Sequence, residues 1–183
     1  MGAESGNQTS CGTCTVCCLV LRIEEFDKPA GTLCQHCTGQ GCGIHATRYE
    51  VCRGFFCGYR LVPALGEDWR PDRNGVLIVI LVGDDVPEEY RAAGNAMHFT
   101  IVGGEKAILR PGFAEYVMTL VSRRVAVILS ADSPKTLINP YLEKLVADKD
   151  QEGVVHMLVH IYRKHMVFRD MKKWKSMPWV DIP

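Results

Sequence analysis

The sequence lacks the features that would direct it to a nucleic acid, a membrane or the secretory route. Its 21 basic and 21 acidic side chains give a formal net charge of zero, which favours no polyanionic partner. The longest unbroken apolar run covers residues 76–82 and is far too short to span a bilayer. The first ten residues have neither the basic start nor the apolar segment of a secretory signal. We therefore expect a cytoplasmic protein with no membrane partner.

Cysteine is absent from residues 58–183, although the chain contains nine cysteines in all. The nine are Cys11, Cys14, Cys17, Cys18, Cys34, Cys37, Cys42, Cys52 and Cys57. In a reducing compartment such a density is typical of metal ligands, whereas in a small secreted protein it would indicate disulfides. The remaining composition, 47% hydrophobic and 23% charged, is that of a folded globular protein. The cysteines therefore predict a metal site that is confined to one part of the chain.

The spacing of the cysteines fits four-thiolate zinc sites in more than one way. Two CxxC pairs, Cys11 with Cys14 and Cys34 with Cys37, have the separation of a paired zinc knuckle. The pair formed by Cys14 and Cys17 fits the same template equally well. Adjacent side chains tend to diverge, so we expect Cys17 and Cys18 to serve different ions or opposite sides of one cluster. This favours two metal ions or a polynuclear centre.

An iron–sulfur cluster is the alternative to zinc. The CxxCxxC run, together with one remote cysteine, could hold a four-iron cluster. The fourth cysteine of the bacterial ferredoxin pattern is missing, because Leu21 stands at its position. The remote cysteines lie at loop spacings from which several tetrahedral sites can be drawn, so zinc is slightly favoured over iron–sulfur.

Nine is an odd number of cysteines, so either one thiol is free or a histidine completes a second site. His36, which lies inside CQHC, and His45 are the two candidate histidines. For each, a solvated loop histidine is the favoured interpretation. Eight thiolates around two divalent zinc ions would carry four excess negative charges, which need nearby cations. Arg48, Arg53 and Arg60 are placed in the sequence to supply them.

The sequence predicts an α+β protein in which a small irregular metal-binding module precedes a compact α/β layer. We expect a flexible N-terminus over residues 1–10, the cysteine module over 11–70 and the layer over 71–183. Within the module, residues 19–23 have the apolar character of a short strand, and residues 27–31 form a turn. Residues 58–75 are rich in proline and glycine and are predicted to be a connector.

The layer should contain three to four strands and two to three helices. The strands predicted from apolar runs and flanking turn residues are 76–82, 97–102 and 125–129, with 106–109 as a hairpin partner of the second. Helices are predicted from apolar periodicity after Pro111, over 134–147 and over 151–168. His156 and His160 form an HxxxH on the last helix, but they fall on the face opposite its apolar stripe and so predict a solvated surface.

The cysteine region resembles the YkgJ-like cysteine-cluster family of bacteria, whose members are described as zinc- or iron-chelating proteins. The resemblance covers about residues 11–80 and consists of CxxCxxCC, KPAG before a cysteine, GCGI, RxxxCRGFxC and RPDRNGV. It implies metal binding by Cys11, Cys14, Cys17, Cys18, Cys34, Cys42, Cys52 and Cys57, with Cys37 a frequent extra. His45, Tyr49 and Tyr59 depart from the residues usual in the family, and none of these departures removes a thiol.

Two further functions are open alternatives. Flagellin lysine methylases have a similar cysteine cluster, so the resemblance could also imply a protein-modifying enzyme, although no catalytic constellation can be recognised in the sequence. A metal-stabilised module that binds a protein or a nucleic acid is the other alternative. The segment 163–175 carries the basic residues Arg163, Lys164, Arg169, Lys172, Lys173 and Lys175 with Phe168 and Trp174 among them. Zero net charge argues against nucleic acid.

Overall fold

The computed structural model describes residues 11–131 and 134–170, the last three of these by their backbone only. The predicted flexible N-terminus and the basic residues Lys172, Lys173 and Lys175 with Trp174 lie outside the described residues, as do the side chains of Phe168 and Arg169. The chain divides into two compact units, one running to Leu77 and the other starting at Ile78. The sequence placed this division between residues 70 and 71.

The N-terminal unit contains only short helices. Four single-turn α-helices are described in it: α1 (Val16–Val20), α2 (Glu50–Gly54), α3 (Gly58–Leu61) and α4 (Pro71–Asn74). Three 3₁₀ turns (Glu24–Phe26, His45–Thr47 and Glu67–Trp69) lie between them. Helix α4 begins at a proline, which suits a first helical position, and ends at Gly75 in the left-handed conformation with φ 76°. Helices this short gain little from their own hydrogen bonds, so other contacts must hold the unit together.

The apolar core of the N-terminal unit is small. Cys57, Tyr59 and Leu77 form its buried cluster, and Val16, Val20, Phe55 and Trp69 pack around them. Ile23 is fully buried in the turn that it closes with Lys28, where the two residues form an isolated antiparallel bridge. Tyr59 donates a hydrogen bond to Glu67, and burial together with this carboxylate raises the pKa of the Tyr59 hydroxyl to about 12.

The C-terminal unit is built on a four-stranded sheet. Its strands are β1 (Val76–Val82), β2 (Asn95–Ile101), β3 (Ala126–Ser130) and β4 (Thr136–Leu137), in the order β1-β2-β3-β4. Strands β2 and β3 pair in parallel from Ala96 and Ala126 to Thr100 and Ser130, whereas β3 and β4 are antiparallel. Strand β3 is buried throughout, which accounts for its continuous apolar sequence.

Four α-helices are described in this unit: α5 (Glu105–Ile108), α6 (Phe113–Ser122), α7 (Asn139–Ala147) and α8 (Gln151–Asp170). Helix α6 buries Phe113, Val117, Leu120 and Val121, the face that its periodicity predicts. Helix α8 buries Val154, Leu158 and Ile161, while His156 and His160 are exposed. The HxxxH therefore lies on a solvated face, as predicted. No helix in the described ranges is both long and apolar enough to cross a membrane.

The α+β fold class and the irregular cysteine-rich region are confirmed, but several predicted elements differ. Residues 19–23 do not form a strand, because Val16–Val20 turn into helix α1 and the chain then leaves in extended conformation. Residues 106–109 are not a hairpin strand but the end of the helical turn α5. The predicted helix 134–147 begins only at Asn139, since Thr136 and Leu137 pair with β3 instead. The supposed connector 58–75 contains α3 and α4.

Candidate metal centre

Eight of the nine cysteines line one cavity in the N-terminal unit. They are Cys11, Cys14, Cys17, Cys18, Cys34, Cys42, Cys52 and Cys57. The cavity has a volume of about 90 Å³, and apolar side chains such as Leu21 and Ile44 complete its wall. A cavity that accepts benzene measures about 150 Å³, so the size of this space suits metal ions. Cys37 is not among the residues that line it.

One group of thiols is built around the first CxxC turn. The amide of Cys14 donates to the carbonyl of Cys11 at 3.0 Å, which turns the backbone so that both thiols reach the cavity. The thiol of Cys57 contacts that of Cys11, and its hydrogen bond together with the charge of Arg60 lowers the pKa of Cys11 to about 6. The same contact, together with burial, raises the pKa of Cys57. Cys57 therefore retains the proton that Cys11 loses.

A second group of thiols forms where the chain returns to the cluster. The amide of Cys34 donates to the carbonyl of Cys18 at 3.0 Å, and the amide of Cys37 donates to the carbonyl of Cys34 at 3.0 Å. Cys37 and Cys42 then form an isolated antiparallel bridge. Burial, followed by the charges of Cys17 and Cys37, raises the pKa of Cys18. The backbone thus brings Cys18, Cys34, Cys37 and Cys42 together from distant parts of the sequence.

Cys17 and Cys18 divide between these two groups although they are adjacent. Burial raises the pKa of Cys17, and the neighbouring charges that add to this effect are those of Cys11 and Cys14, followed by that of Cys52. The corresponding neighbours of Cys18 are Cys17, Cys37 and Cys34. Both thiols still line the same cavity and are within hydrogen-bonding reach of each other. The arrangement matches two sets of donors that share one space.

Cations surround the thiols, but not all of them are those that the sequence indicated. Arg48 and Arg60 line the cavity, whereas Arg53 is not among its lining residues. The sequence analysis missed Lys28, which is only 4% exposed and whose ammonium donates to the carbonyls of Leu19 and Pro29 at 3.2 Å. The only signal in the sequence was a lysine next to the proline of a turn that leads to a cysteine, where a solvated lysine is expected.

The two candidate histidines have different surroundings. His36 lines the cavity, packs edge-on against Phe26 and lies 3.5 Å by its Nε2 from the hydroxyl of Tyr49. His45 is exposed, does not line the cavity and pairs through its Nε2 with Arg48 at 3.0 Å. His36 is therefore the histidine that could complete a ligand set, whereas His45 is the solvated loop histidine that the sequence favoured.

The thiols that line the cavity are suitable ligands for a thiophilic metal, but they are not arranged in the geometry of a metal site. Among residues 11–131 and 134–167, no three cysteine, histidine, aspartate or glutamate side chains are grouped closely enough to form a ready ligand set. The thiols face one space and touch in pairs, so a rotation about the Cα–Cβ bond of a few of them would be needed to bring four sulfurs to about 2.3 Å from an ion.

Comparisons with known proteins identified no relative: no family model, no curated protein and no solved structure matches this chain. The resemblance to the YkgJ-like cysteine-cluster family therefore stays a prediction from the spacing of the motifs. The case for metal binding depends on the thiols, the cavity and the cations of the chain itself.

Proposed function

We propose that this protein binds metal through a thiolate cluster in its N-terminal unit, as zinc ions or as an iron–sulfur centre. The observation that carries the proposal is the convergence of eight thiols from residues 11–57 on one cavity of about 90 Å³. A structural zinc ion has four protein ligands, all of which can be thiolates, so eight thiols match two ions. Zinc is favoured slightly, because the wall of the cavity is made by loops from several parts of the chain.

Two sets of residues would hold the metal. Cys11, Cys14, Cys17 and Cys57 would form one set, and Cys18, Cys34, Cys42 and Cys52 would form the other, with the Cys37 thiol hydrogen-bonded to Cys18 of this second set. A bound metal supplies cross-links between segments that otherwise share few contacts. The protein's own contribution is to orient the thiols through backbone hydrogen bonds, to exclude water with Leu21, Ile23, Ile44 and Phe55, and to place positive charge nearby.

The location of the positive charge supports this assignment. Arg60 and Arg48 lie at the cavity, and their charges lower the pKa of the Cys11 thiol against the opposing effect of burial. A thiol must lose its proton before it can bind a metal, so groups that favour the thiolate also favour binding. The same cations reduce the repulsion among several thiolates held in one small space.

Elemental analysis of protein purified without oxygen tests the proposal. We expect about two zinc ions per chain with no visible absorption, or iron with inorganic sulfide and a broad visible absorption. A protein that is folded, reduced and free of both metals would overturn it. A variant with Cys11 and Cys18 changed to serine removes one thiol from each set and should lose most of the metal.

Nothing in the described residues favours the two alternative functions. A methylase-like enzyme needs a cofactor such as S-adenosylmethionine, and the thiol-lined cavity of about 90 Å³ is smaller than a cavity that accepts benzene. The predicted nucleic-acid contact is mostly outside the described residues, and Arg163, which is described, is bound by Glu105 through two hydrogen bonds of 2.8 Å.

A further inference from the structure

Lys28 is a buried cation beside the thiol cluster. Its side chain lies in the N-terminal unit and the residue is 4% exposed. The ammonium donates three hydrogen bonds to backbone carbonyls, those of Leu19, Leu21 and Pro29. A lysine ammonium has three donors, so all of them are used and none is left for a thiolate. Lys28 can therefore act on the cluster through its charge and through the backbone that it holds.

The ammonium has no carboxylate partner. Among the residues that the structure describes, no aspartate or glutamate lies within 4.0 Å of the Lys28 nitrogen. Moving an ammonium from water into a protein interior costs free energy, and carbonyl dipoles offset only part of that cost without an opposite charge. Burial lowers the pKa of Lys28, and the negative charges that oppose this effect are those of Cys34, Cys18, Cys52 and Cys17, all of which line the cavity.

We propose that Lys28 is a positioning residue, whose ammonium is the buried counter-ion of the metal–thiolate cluster. The inference rests on the proposed function, because only thiolates held by metal carry a permanent negative charge at this place. Eight thiolates around two zinc ions have a net charge of −4, and the half-buried Arg48 and Arg60 are screened by solvent more than a buried ammonium is. Lys28 is thus placed to compensate charge on the side of the cluster that faces the protein interior.

Lys28 also joins the two chain segments that carry these thiols. Leu19 and Leu21 follow Cys17 and Cys18 at the end of helix α1, and Pro29 begins the turn that leads to Cys34. The amide of Gly31 donates to the carbonyl of Leu19 at 3.0 Å, so the same two segments are held by the backbone as well. A test must therefore separate the charge of Lys28 from its hydrogen bonds.

Three substitutions make that separation. Lys28→Arg keeps the charge and the donors, Lys28→Gln keeps two N–H donors without the charge, and Lys28→Met keeps only an apolar stem. The affinity of the apoprotein for zinc ions is measured by competition with a chromophoric chelator, with circular dichroism as the check on folding. We expect the Gln and Met variants to bind zinc at least tenfold more weakly, which is about 1.4 kcal/mol. The Arg variant should bind within about threefold of the wild type, because it restores the charge.

Arg22→Met is the matched control, since Arg22 is a cation of the same unit whose side chain is 73% exposed and pairs only with Glu24. It should leave the affinity for zinc unchanged. If the Gln variant binds zinc as tightly as the wild type, Lys28 only joins the two chain segments through its hydrogen bonds, and the counter-ion assignment is wrong. If the Met variant does not fold, the difference in zinc affinity between the Gln and Arg variants decides whether the charge of Lys28 is needed. A wild-type protein that takes up neither zinc nor iron with sulfide would instead overturn the proposed function.

Discussion

Removal of the metal should unfold the N-terminal unit and leave the C-terminal unit intact. Among the described residues, seven apolar side chains are buried up to Leu77, whereas twenty-five are buried from Ile78 onward. The longest α-helix of the N-terminal unit, Val16–Val20 or Glu50–Gly54, has five residues, while Gln151–Asp170 in the other unit has twenty. The first unit therefore depends on cross-links, and the second on its own apolar core.

The size of the effect follows from the free energy of zinc binding. A structural zinc supplies about 10–16 kcal/mol, and a whole domain is stable by only about 5–15 kcal/mol. The loss of even one ion is thus comparable to the total stability of a unit with so small a core. No cysteine lies in residues 58–183, so chelation removes no direct contact from the sheet and the helices of the second unit.

Chelation followed by limited proteolysis measures this directly. The protein is treated with a strong chelator under reducing conditions, digested for increasing times and analysed by mass spectrometry. We expect cleavage throughout residues 11–57 and survival of a fragment that begins at about residue 70. Addition of zinc before digestion should restore protection, which is the control for damage by the chelator. If the C-terminal fragment is digested as fast as the cysteine region, the metal organises a single core and the two-unit account is wrong.

Further predictions concern single side chains. Cys57→Ala should weaken zinc binding at least tenfold in a chelator competition, because Cys57 lines the cavity and its thiol contacts that of Cys11. Asn139→Ala should destabilise the C-terminal unit by about 3 kcal/mol in denaturant unfolding, because its buried amide makes two hydrogen bonds with the backbone, at 2.7 and 2.9 Å. Burial lowers the pKa of His98 to about 3 and of His165 to about 4, so both are neutral in the folded unit. Since the unfolded chain binds protons below pH about 6.5, unfolding measured from pH 7 to 5 should show a loss of about 4 kcal/mol, and a flat profile would contradict this.

The sequence predicted correctly those elements that have a long apolar pattern. Strand β1 and helices α6 and α8 have long apolar patterns, and the structure contains them close to the expected bounds. The strand predicted at residues 19–23 was wrong, because a short, mostly apolar stretch fits a strand and a helical turn equally well. The two-residue strand β4 was missed, because its position depends on pairing with β3 and not on its own sequence.

For the candidate site, the sequence identified the thiols but not their surroundings. Spacing alone could not assign the cysteines to one cavity, since this depends on backbone hydrogen bonds such as that from Cys34 to Cys18, which are sixteen residues apart. It also placed Arg53 with the compensating cations, whereas Arg48 and Arg60 are the arginines that line the cavity. The role of Lys28 was hidden because the burial of a lysine is a property of the folded chain.

Counting the thiols that metal protects from alkylation tests the central claim most directly. The metal-loaded protein is treated with a small alkylating reagent, and peptide mass spectrometry reports the extent of modification at each cysteine. We predict that the eight thiols of the cavity are protected and that chelation exposes all of them. If the eight thiols are alkylated at the same rate with and without metal, they do not form a metal centre.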